Sequence, residues 1–292
     1  MPELPEVETV RRGLLSLIVG RKVTGVEHNT PKSFPNATAD VGRFLIGASV
    51  IDVRRRAKVL MVDLSTDYAL VIHLKMTAQM VFVAADQLRF GAGHPNESLV
   101  GNLPDRSTRV TLTFEDGSHL YFNDQRKFGW MRLLPTLEVP NIDFMQKVGP
   151  EPLDADFTAD AFAERFQRRA RTSIKAALLD QTVIAGVGNI YADESLWGAR
   201  IHPKRLVGSV TSDEFASLYA ELRSVMNMAI ESGGSTDKNY VNAEGKRGSY
   251  LTFARVFRRE GKPCPRCGTA IIKFKAAGRG THICPHCQVL SS

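Results

Sequence analysis

The chain has 292 residues, with 38 Lys and Arg against 31 Asp and Glu, and a formal net charge of +7 at pH 7. Hydrophobic residues make up 43% and charged residues 24%, which excludes a disordered or fibrous chain, and the length predicts two domains. No apolar run approaches the ~20 residues of a membrane helix, and the first residues are acidic where a secretion signal would be basic, so we expect a cytoplasmic protein without membrane contact.

The N-terminal segment predicts an amphipathic helix. Apolar side chains from Leu4 to Leu15 recur at helical spacing, which predicts a helix over residues 5–18 that ends at Gly20. Pro5 suits the first turn of this helix, because the N–H that proline lacks has no helical partner there.

Pro2, at the start of this helix, also has a chemical interpretation, as a nucleophile. Removal of Met1 would leave Pro2 as a free secondary amine, and an α-amine, with a pKa near ~8, is partly uncharged at neutral pH. An uncharged amine can attack an electrophilic sugar carbon, and Glu3 and Glu6 can supply acid–base catalysis beside it. The alternative, on these residues alone, is an ordinary helix start, where Pro and Glu are both favoured.

From about residue 22 to residue 133 the pattern changes to short β-branched or alternating segments separated by turn signals. This pattern predicts an antiparallel sandwich or barrel behind one helix. The segment 85–106 is polar and contains glycine, so we expect a surface loop there. The predicted strands are 23–26, 49–54, 58–64, 69–74, 79–83, 110–114, 118–122 and 129–133.

A helical pattern follows a proline-rich connection. Residues 135–152 contain four prolines and predict an interdomain linker. The glycine turn 185–189 leads into a helix and exposes backbone N–H groups that can hold a phosphate. Residues 233–250 have no periodicity and predict a long functional loop. The helix candidates are 159–167, 173–181, 190–197 and 212–232.

The positive charge is concentrated near the C-terminus. Residues 254–290 carry eight Lys and Arg side chains and one Glu, so this segment alone accounts for the net charge of the whole chain. A local basic patch on a neutral body predicts a polyanionic partner, and a solvated surface is the alternative.

All four cysteines lie in this basic segment and predict one structural Zn²⁺. Cys264 and Cys267 form one C-x2-C pair, and after sixteen residues Cys284 and Cys287 form a second. Four protein thiolates complete a tetrahedron and leave no open position for substrate. Two disulfides are the alternative, which a reducing cytosol disfavours.

The residues between the cysteine pairs predict a hairpin. Residues 269–275 and 281–283 read as strands, and the turn 276–280 joins them. Arg279 therefore lies at the hairpin tip between two glycines, where a guanidinium can bind phosphate.

Four motifs, in this order along the chain, resemble the bacterial formamidopyrimidine-DNA glycosylases, the Fpg/MutM family. They are residues 2–8 (PELPEVE), residues 124–129 (DQRKFG), residues 186–192 (GVGNIYA) and the cysteine finger. The resemblance runs from residue 2 to about residue 288.

The resemblance implies a two-lobed α+β fold that binds duplex DNA between its lobes. The N-terminal lobe would be a helix plus an antiparallel β-sandwich, and the C-terminal lobe a helix-two-turn-helix region with a four-cysteine zinc finger. The implied divisions are a catalytic domain at 1–134, a linker at 135–152, a helical domain at 153–252 with a lesion loop at 233–250, and the finger at 253–292.

The resemblance also implies a bifunctional DNA glycosylase and abasic-site lyase that acts on oxidised purines. Pro2 would attack C1′ of the damaged nucleotide, Glu3 would be the acid–base catalyst, and Glu6 would support the site. Lys58 would contact phosphate and donate a proton in β-elimination. Arg279 would grip the phosphates and serve δ-elimination.

Several residues would contact DNA under the same resemblance. Extrusion of the damaged nucleotide leaves a gap in the duplex, which Met76, Arg126 and Phe128 would fill. For Met76 and Phe128 the alternative, without the family, is ordinary strand core. The remaining expected DNA contacts are Arg109, Arg171, Lys175, Asn189 and Lys238.

Three positions depart from the family pattern. Gln125 replaces a common proline, and Lys75 precedes Met76 where glycine is usual. Ser107 falls where many relatives have a DNA-contacting histidine, so that contact is in doubt, and Arg109 is the nearby residue that could replace it.

The expected partner is damaged double-stranded DNA, bound by a monomer. One rival is a pyrimidine-preferring relative of the endonuclease VIII type, against which Leu4 argues because those relatives usually carry glycine there. The other rival is a non-catalytic, zinc-dependent DNA-binding protein, which a retained Met1 would favour.

Overall fold

The computed structural model describes residues 2–94, 96–235 and 250–290. The chain divides into two compact units. Unit 1 comprises residues 1–146 and 230–250, and unit 2 comprises residues 147–229 and 251–292.

The elements follow the predicted order along the chain. The helices are α1 (Leu4–Ile18), α2 (Thr38–Asp40), α3 (Asp143–Lys147), α4 (Ala159–Gln167), α5 (Ile174–Leu179), α6 (Asn189–Gly198) and α7 (Ser212–Glu231). The strands are β1 (Val23–His28), β2 (Val50–Arg56), β3 (Val59–Leu64), β4 (Tyr68–His73), β5 (Ala78–Val83), β6 (Arg89–Gly93), β7 (Thr108–Phe114), β8 (His119–Asp124), β9 (Trp130–Pro135), β10 (Ile272–Ala276) and β11 (Arg279–Ile283).

Unit 1 is built on two antiparallel sheets behind α1, which confirms the predicted α+β class. The five-stranded sheet has the order β1-β7-β8-β5-β6, and the four-stranded sheet has the order β2-β3-β4-β9. One apolar core joins both sheets to the helix, and it contains Leu14 of α1, Leu60 of β3, and Phe82 and Phe122 of the larger sheet.

The four-stranded sheet is covered on its outer face as well. Leu60 and Val62 of β3 face the main core, whereas Val59 and Met61 point to the other side and pack with Val139. Both faces of β3 are therefore buried, which explains why its sequence is almost continuously apolar.

The prediction of a surface loop at 85–106 is wrong in part, because this segment contains β6, which pairs with β5. Phe90 of β6 is buried against α1, where a Cβ at Gly13 would lie 2.1 Å from its ring. Glycine thus permits the close approach of helix and strand. The sequence of β6 does not indicate a core strand, since two of its five residues are glycine.

The predicted linker at 135–152 is also more ordered than its prolines indicate. It contains a 3₁₀ helix (Thr136–Asn141) and then α3. Val139 of the 3₁₀ helix is buried against the outer face of the smaller sheet. This segment therefore belongs in large part to unit 1.

Unit 2 joins α4 to α7 with the cysteine finger. Trp197 of α6 packs with Val256, Ile271 and two of the cysteines in one apolar cluster. The buried carboxylate of Glu194 accepts the backbone N–H groups of residues 255–257 at 2.8–2.9 Å. The finger thus packs on α6, and it falls in the same unit as the helices.

The four-part division from the sequence stays a prediction, and the two compact units group the residues differently. The segment 233–250, predicted with the helices, falls in unit 1, and the finger at 253–292 falls in unit 2. Among the described residues, every helix is too short or too polar to cross a membrane.

Candidate functional site

Pro2 and Glu3 lie at the start of α1, and both are buried. Glu3 is the N-cap residue, and its N–H donates to Oε2 of Glu6 at 2.7 Å. Glu3 and Glu6 form the reciprocal pair of a capping box. Because Glu3 follows Pro2 directly, this bond also fixes the backbone at Pro2.

Glu6 holds the base of the predicted lesion loop as well. Its Oε1 accepts the N–H of Ser235 at 2.8 Å. Gly234 has a φ of +88°, and a Cβ there would lie 3.2 Å from Cγ of Glu6, so glycine suits both the conformation and the approach. The N–H of Tyr250 donates to the carbonyl of Gly234 at 2.9 Å. The two ends of the loop are therefore joined to each other and to α1, whereas Lys238 lies outside the described residues.

Lys58 lies in the turn between β2 and β3, and it is 6% exposed. His73 stands near it, because β4 pairs His73 with Val59. Burial, together with the charges of Lys75 and Lys58, lowers the pKa of His73 to about 3. The Nδ1 atom of His73 accepts the N–H of Lys75 at 3.0 Å. At neutral pH, an uncharged imidazole therefore stands beside two ammonium groups, and His73 was not predicted from the sequence.

The depressed pKa of His73 predicts a specific loss of stability in acid. Below about pH 6.5 the unfolded chain binds a proton at His73 that the folded chain does not bind, so stability falls as pH drops towards 3. Between pH 7.5 and pH 5 this group should cost about 2 kcal/mol of unfolding free energy. Urea unfolding of wild type and His73→Gln at both pH values measures the difference. His119→Gln is the control, and an equal pH slope in wild type and His73→Gln would contradict the assignment.

Asp124 organises the turn that carries two predicted intercalating residues. Its fully buried carboxylate accepts the N–H groups of Arg126 at 3.1 Å, Phe128 at 2.8 Å and Gly129 at 2.7 Å. It also accepts the hydroxyl of Thr77. One carboxylate thus connects the turn after β8 to the turn after β4.

The predicted intercalating residues lie in these two turns and not in strand core. Met76 is half-buried, next to Thr77. Phe128 is 43% exposed, and the guanidinium of Arg126 lies 4.7 Å from the centre of its ring. The structure thus places all three on turns that Asp124 joins, while their role in DNA binding stays a prediction.

Arg109 requires a correction. It is only 7% exposed, and its Nε donates to the carbonyl of Asp124 at 2.8 Å. A buried guanidinium that supports the turn is not presented to DNA, so Arg109 does not replace the histidine that is absent at Ser107. Ser107 is itself buried and bonded to Asp105 through both its N–H and its hydroxyl.

Asp124→Ala is expected to destabilise unit 1 and to weaken DNA binding. The change removes the acceptor of four donors, at a cost of about 3 kcal/mol. Urea unfolding measures the stability, and fluorescence anisotropy with a labelled lesion duplex measures the affinity. Asp86→Ala, in an exposed turn, is the matched control and should cost less than about 1 kcal/mol. Equal stability of the two variants would show that Asp124 does not hold the turn.

Three of the expected DNA-contacting residues of unit 2 are exposed or half-buried. Arg171 and Arg279 are exposed. Asn189 is the first residue of α6, and its Nδ2 donates to the carbonyl of Gly280 at 2.9 Å. An amide carries two N–H donors, so this bond uses one of them.

Lys175 requires a second correction. Its side chain is 0% exposed, and its Nζ lies 2.6 Å from Oδ1 of Asp193 and 2.7 Å from Oγ1 of Thr281. An ammonium held in the interior by these bonds does not contact a phosphate. The side chain of Lys175 thus points into the interior of unit 2, which the sequence could not show.

The finger hairpin is shorter at its turn than predicted. β10 and β11 pair in antiparallel register from Ile272 with Ile283 to Ala276 with Arg279. The two turn residues, Ala277 and Gly278, have φ values of +49° and +69°. Positive values at both positions are typical of a two-residue hairpin turn. Arg279 is therefore the first residue of β11 and not part of the loop itself.

The four cysteines form one metal site. Their sulfurs all lie within 4.8 Å of one another, and three of the separations are 3.4, 3.5 and 4.0 Å. Tetrahedral Zn²⁺ with ~2.3 Å bonds separates its sulfurs by ~3.8 Å, so the donor set fits zinc. These separations are too long for disulfides, which removes that alternative. The site holds one structural zinc.

Comparisons with known sequences agree along the whole chain. Residues 1–131 match the formamidopyrimidine-DNA glycosylase N-terminal domain, residues 148–240 its H2TH domain, and residues 261–289 a zinc finger found in FPG and IleRS. The formamidopyrimidine-DNA glycosylase of Pelotomaculum thermopropionicum is 40% identical over 289 residues, covering 99% of both chains. That of Pediococcus pentosaceus is 41% identical over 290 residues, covering 99% of this chain and 100% of the relative.

Solved structures give the same result. A Lactococcus lactis Fpg mutant in complex with DNA that contains Fapy-dG has a TM-score of 0.86 and 34% identity, covering 99% of this chain and 100% of that one. The Lactococcus lactis Fpg in complex with abasic-site DNA gives the same values. The fold, the zinc site and these matches define a DNA glycosylase of DNA repair. The chain belongs to the formamidopyrimidine-DNA glycosylase family.

The structure adds supporting residues that sequence reasoning missed. They are Asp124 under the turn that carries Arg126 and Phe128, His73 beside Lys58, and Asp193 and Glu194 on α6. The sequence feature that they share is a charged or titratable side chain within a segment whose other residues predict burial. Such a side chain indicates a specific partner, because charged groups are rarely buried without one.

Proposed function

We propose that this enzyme excises oxidised purines, 8-oxoguanine and formamidopyrimidines, from duplex DNA and then cuts the strand by β,δ-elimination. Pro2 is the nucleophile, Glu3 the acid–base catalyst, and Lys58 and Arg279 serve the two eliminations. The enzyme works as a monomer in the cytoplasm.

One observation carries the proposal. The PELPEVE segment stands at the start of α1, where the capping pair of Glu3 and Glu6 holds Pro2, in a chain that matches the Fapy-dG-bound Lactococcus lactis enzyme over its whole length. Formamidopyrimidine lesions are thus bound by a relative whose fold this chain shares.

The proposed chemistry begins with the amine of Pro2. Its nitrogen attacks C1′, the glycosidic bond breaks, and the damaged base leaves with the electron pair of that bond. The amine then loses its proton and the C1′–O4′ bond breaks, with its electron pair going to O4′, which takes up a proton; this ring opening leaves an iminium between Pro2 and C1′. The iminium makes the adjacent C2′ protons acidic, and Glu3 exchanges protons with the sugar. Loss of the 3′-phosphate and then of the 5′-phosphate completes the two eliminations.

The proposed DNA contacts follow from exposure and chemistry. Extrusion of a nucleotide costs a few kcal/mol of unstacking, and exposed Phe128 with Arg126 over its ring offers an aromatic face and hydrogen-bond donors to the gap. Phosphate contacts by Asn189, Arg171 and Arg279 fix the position of the enzyme on the duplex but do not distinguish one base from another. The pocket that receives the extruded base must therefore select the lesion.

Incision assays on matched duplexes test this proposal. The duplexes carry 8-oxoguanine, a formamidopyrimidine, thymine glycol or no lesion, and kcat/KM is compared among them. We expect the two purine lesions to be cut at least about tenfold faster than thymine glycol, with a product that lacks the whole sugar. Binding without strand cleavage on any lesion would favour the non-catalytic alternative.

A second candidate, excision of oxidised pyrimidines, has a specific observation in its favour. The wild-type Lactococcus lactis enzyme, 34% identical with a TM-score of 0.85, is also described in a complex with DNA that contains an oxidised pyrimidine. Faster incision of the thymine glycol duplex than of the 8-oxoguanine duplex would make this the main activity.

A further inference from the structure

A buried ion pair in unit 2 stands outside the proposed chemistry. The Nζ atom of Lys175 on α5 lies 2.6 Å from Oδ1 of Asp193 on α6, and both side chains are 0% exposed. Such a pair is weak evidence for stability, because desolvation offsets much of the attraction and apolar replacements are often neutral. The contribution of this ion pair therefore lies in the neighbouring groups that it holds in place.

Both members of the pair hold the same strand of the finger. Nζ of Lys175 donates to Oγ1 of Thr281 at 2.7 Å, and that hydroxyl donates to the carbonyl of Arg279 at 3.1 Å. Oδ2 of Asp193 accepts the N–H of His282 at 2.9 Å. Two short chains of hydrogen bonds thus run from α5 and α6 to the backbone beside Arg279.

Asn189 adds a third anchor to the same strand. Its Nδ2 donates to the carbonyl of Gly280 at 2.9 Å. The carbonyls of Arg279 and Gly280 and the N–H of His282 are therefore all bonded to the H2TH helices, directly or through Thr281. The Arg279 side chain is exposed at the end of this anchored backbone.

We propose that Asp193 is a positioning residue for strand cleavage. It orients Lys175, which fixes the Arg279 backbone through Thr281, and together they direct the Arg279 guanidinium at the phosphates. Asp193 itself is buried and does not touch DNA. This inference rests on the role proposed above for Arg279 in δ-elimination.

The ratio of products separates positioning from mere stability. A partly unfolded enzyme lowers β- and δ-elimination together, since both come from the folded fraction. A misdirected Arg279 slows the second elimination alone, so the product of β-elimination accumulates. The ratio of the two products at equal extents of reaction is thus independent of how much protein is folded.

The experiment uses two changes that break the chain of hydrogen bonds at different points. Thr281→Val removes the hydroxyl and leaves the ion pair intact. The double variant Lys175→Met with Asp193→Asn removes both charges together, which avoids a lone buried ammonium. Thr24→Val, at an exposed position of β1, is the matched control, and Arg279→Ala is the reference for loss of the guanidinium.

We expect both changes to raise the ratio of β- to β,δ-product about tenfold, as a misplacement near ~1 Å is sufficient for such an effect. Arg279→Ala should raise it at least as much, and Thr24→Val should not change it. If Arg279→Ala raises the ratio but Thr281→Val and the double variant do not, the positioning role of Asp193 is wrong. If Arg279→Ala itself leaves the ratio unchanged, the proposed role of Arg279 fails, and the inference for Asp193 falls with it.

Discussion

Removal of zinc by a chelator is expected to weaken lesion-DNA binding by roughly 100-fold, about 3 kcal/mol. The reason is the small size of the apolar cluster under the finger, which consists of Trp197, Val256, Ile271 and two of the cysteines. Such a cluster cannot hold the hairpin without the metal, because zinc contributes about 10–16 kcal/mol to the folding of small zinc domains. Arg279 then loses its fixed position.

Fluorescence anisotropy with a duplex that carries an abasic-site analogue measures this effect. Re-addition of Zn²⁺ should restore binding, and Mg²⁺ should not, because thiolates prefer the softer metal. The zinc-free protein should also show a shallower dependence of log K on log salt, by about 0.9 for each phosphate that it no longer neutralises. Unchanged affinity and salt slope after verified zinc removal would mean that the finger does not bind DNA.

Pro2→Gly is expected to reduce base excision by on the order of 10³-fold or more, since the change replaces the proposed secondary-amine nucleophile with a primary amine. Glycine leaves a primary amine in place of a secondary one, so the permanently charged iminium of a secondary amine cannot form. DNA affinity should change far less, because the expected phosphate contacts lie elsewhere in the chain. Single-turnover incision of an 8-oxoguanine duplex measures the rate.

Pro5→Ala is the matched control for this change. Pro5 lies within the first turn of α1, where alanine is well tolerated, so the variant should excise the base at close to the wild-type rate. Equal losses in Pro2→Gly and Pro5→Ala would indicate damage to the helix start and not a requirement for the secondary amine.

Local sequence patterns predicted the elements of the fold well where burial is periodic. Helix α4 occupies the predicted residues 159–167, and α1 begins one residue before its predicted start. The strand β6 was missed because its pairing with β5 and the contact of Phe90 with Gly13 are tertiary, and its own residues are short of apolar side chains.

The candidate site could be predicted where its chemistry is local. The N-terminal motif and the two cysteine pairs each lie within a few residues, so their spacing carries the information. Arg109 and Lys175 were assigned to DNA because the sequence cannot show burial. Their partners lie far along the chain, with Asp124 15 residues from Arg109, and Thr281 106 residues from Lys175.

The link between the N-terminus and the predicted lesion loop shows the same limit. Glu6 and Ser235 are separated by 229 residues and are joined by one hydrogen bond of 2.8 Å. No periodicity or spacing encodes such a contact, although the glycine pair at 233–234 marks the place where the backbone approaches closely.

The most direct test of the proposed mechanism identifies the atom that bonds to DNA. Borohydride is added during the reaction with an 8-oxoguanine duplex, and the trapped protein is digested and analysed by mass spectrometry. We expect the adduct on the N-terminal peptide, which begins at Pro2 with Met1 removed. An adduct on Lys58 or another lysine, or a trapped protein that retains Met1, would contradict the assignment of Pro2 as the nucleophile.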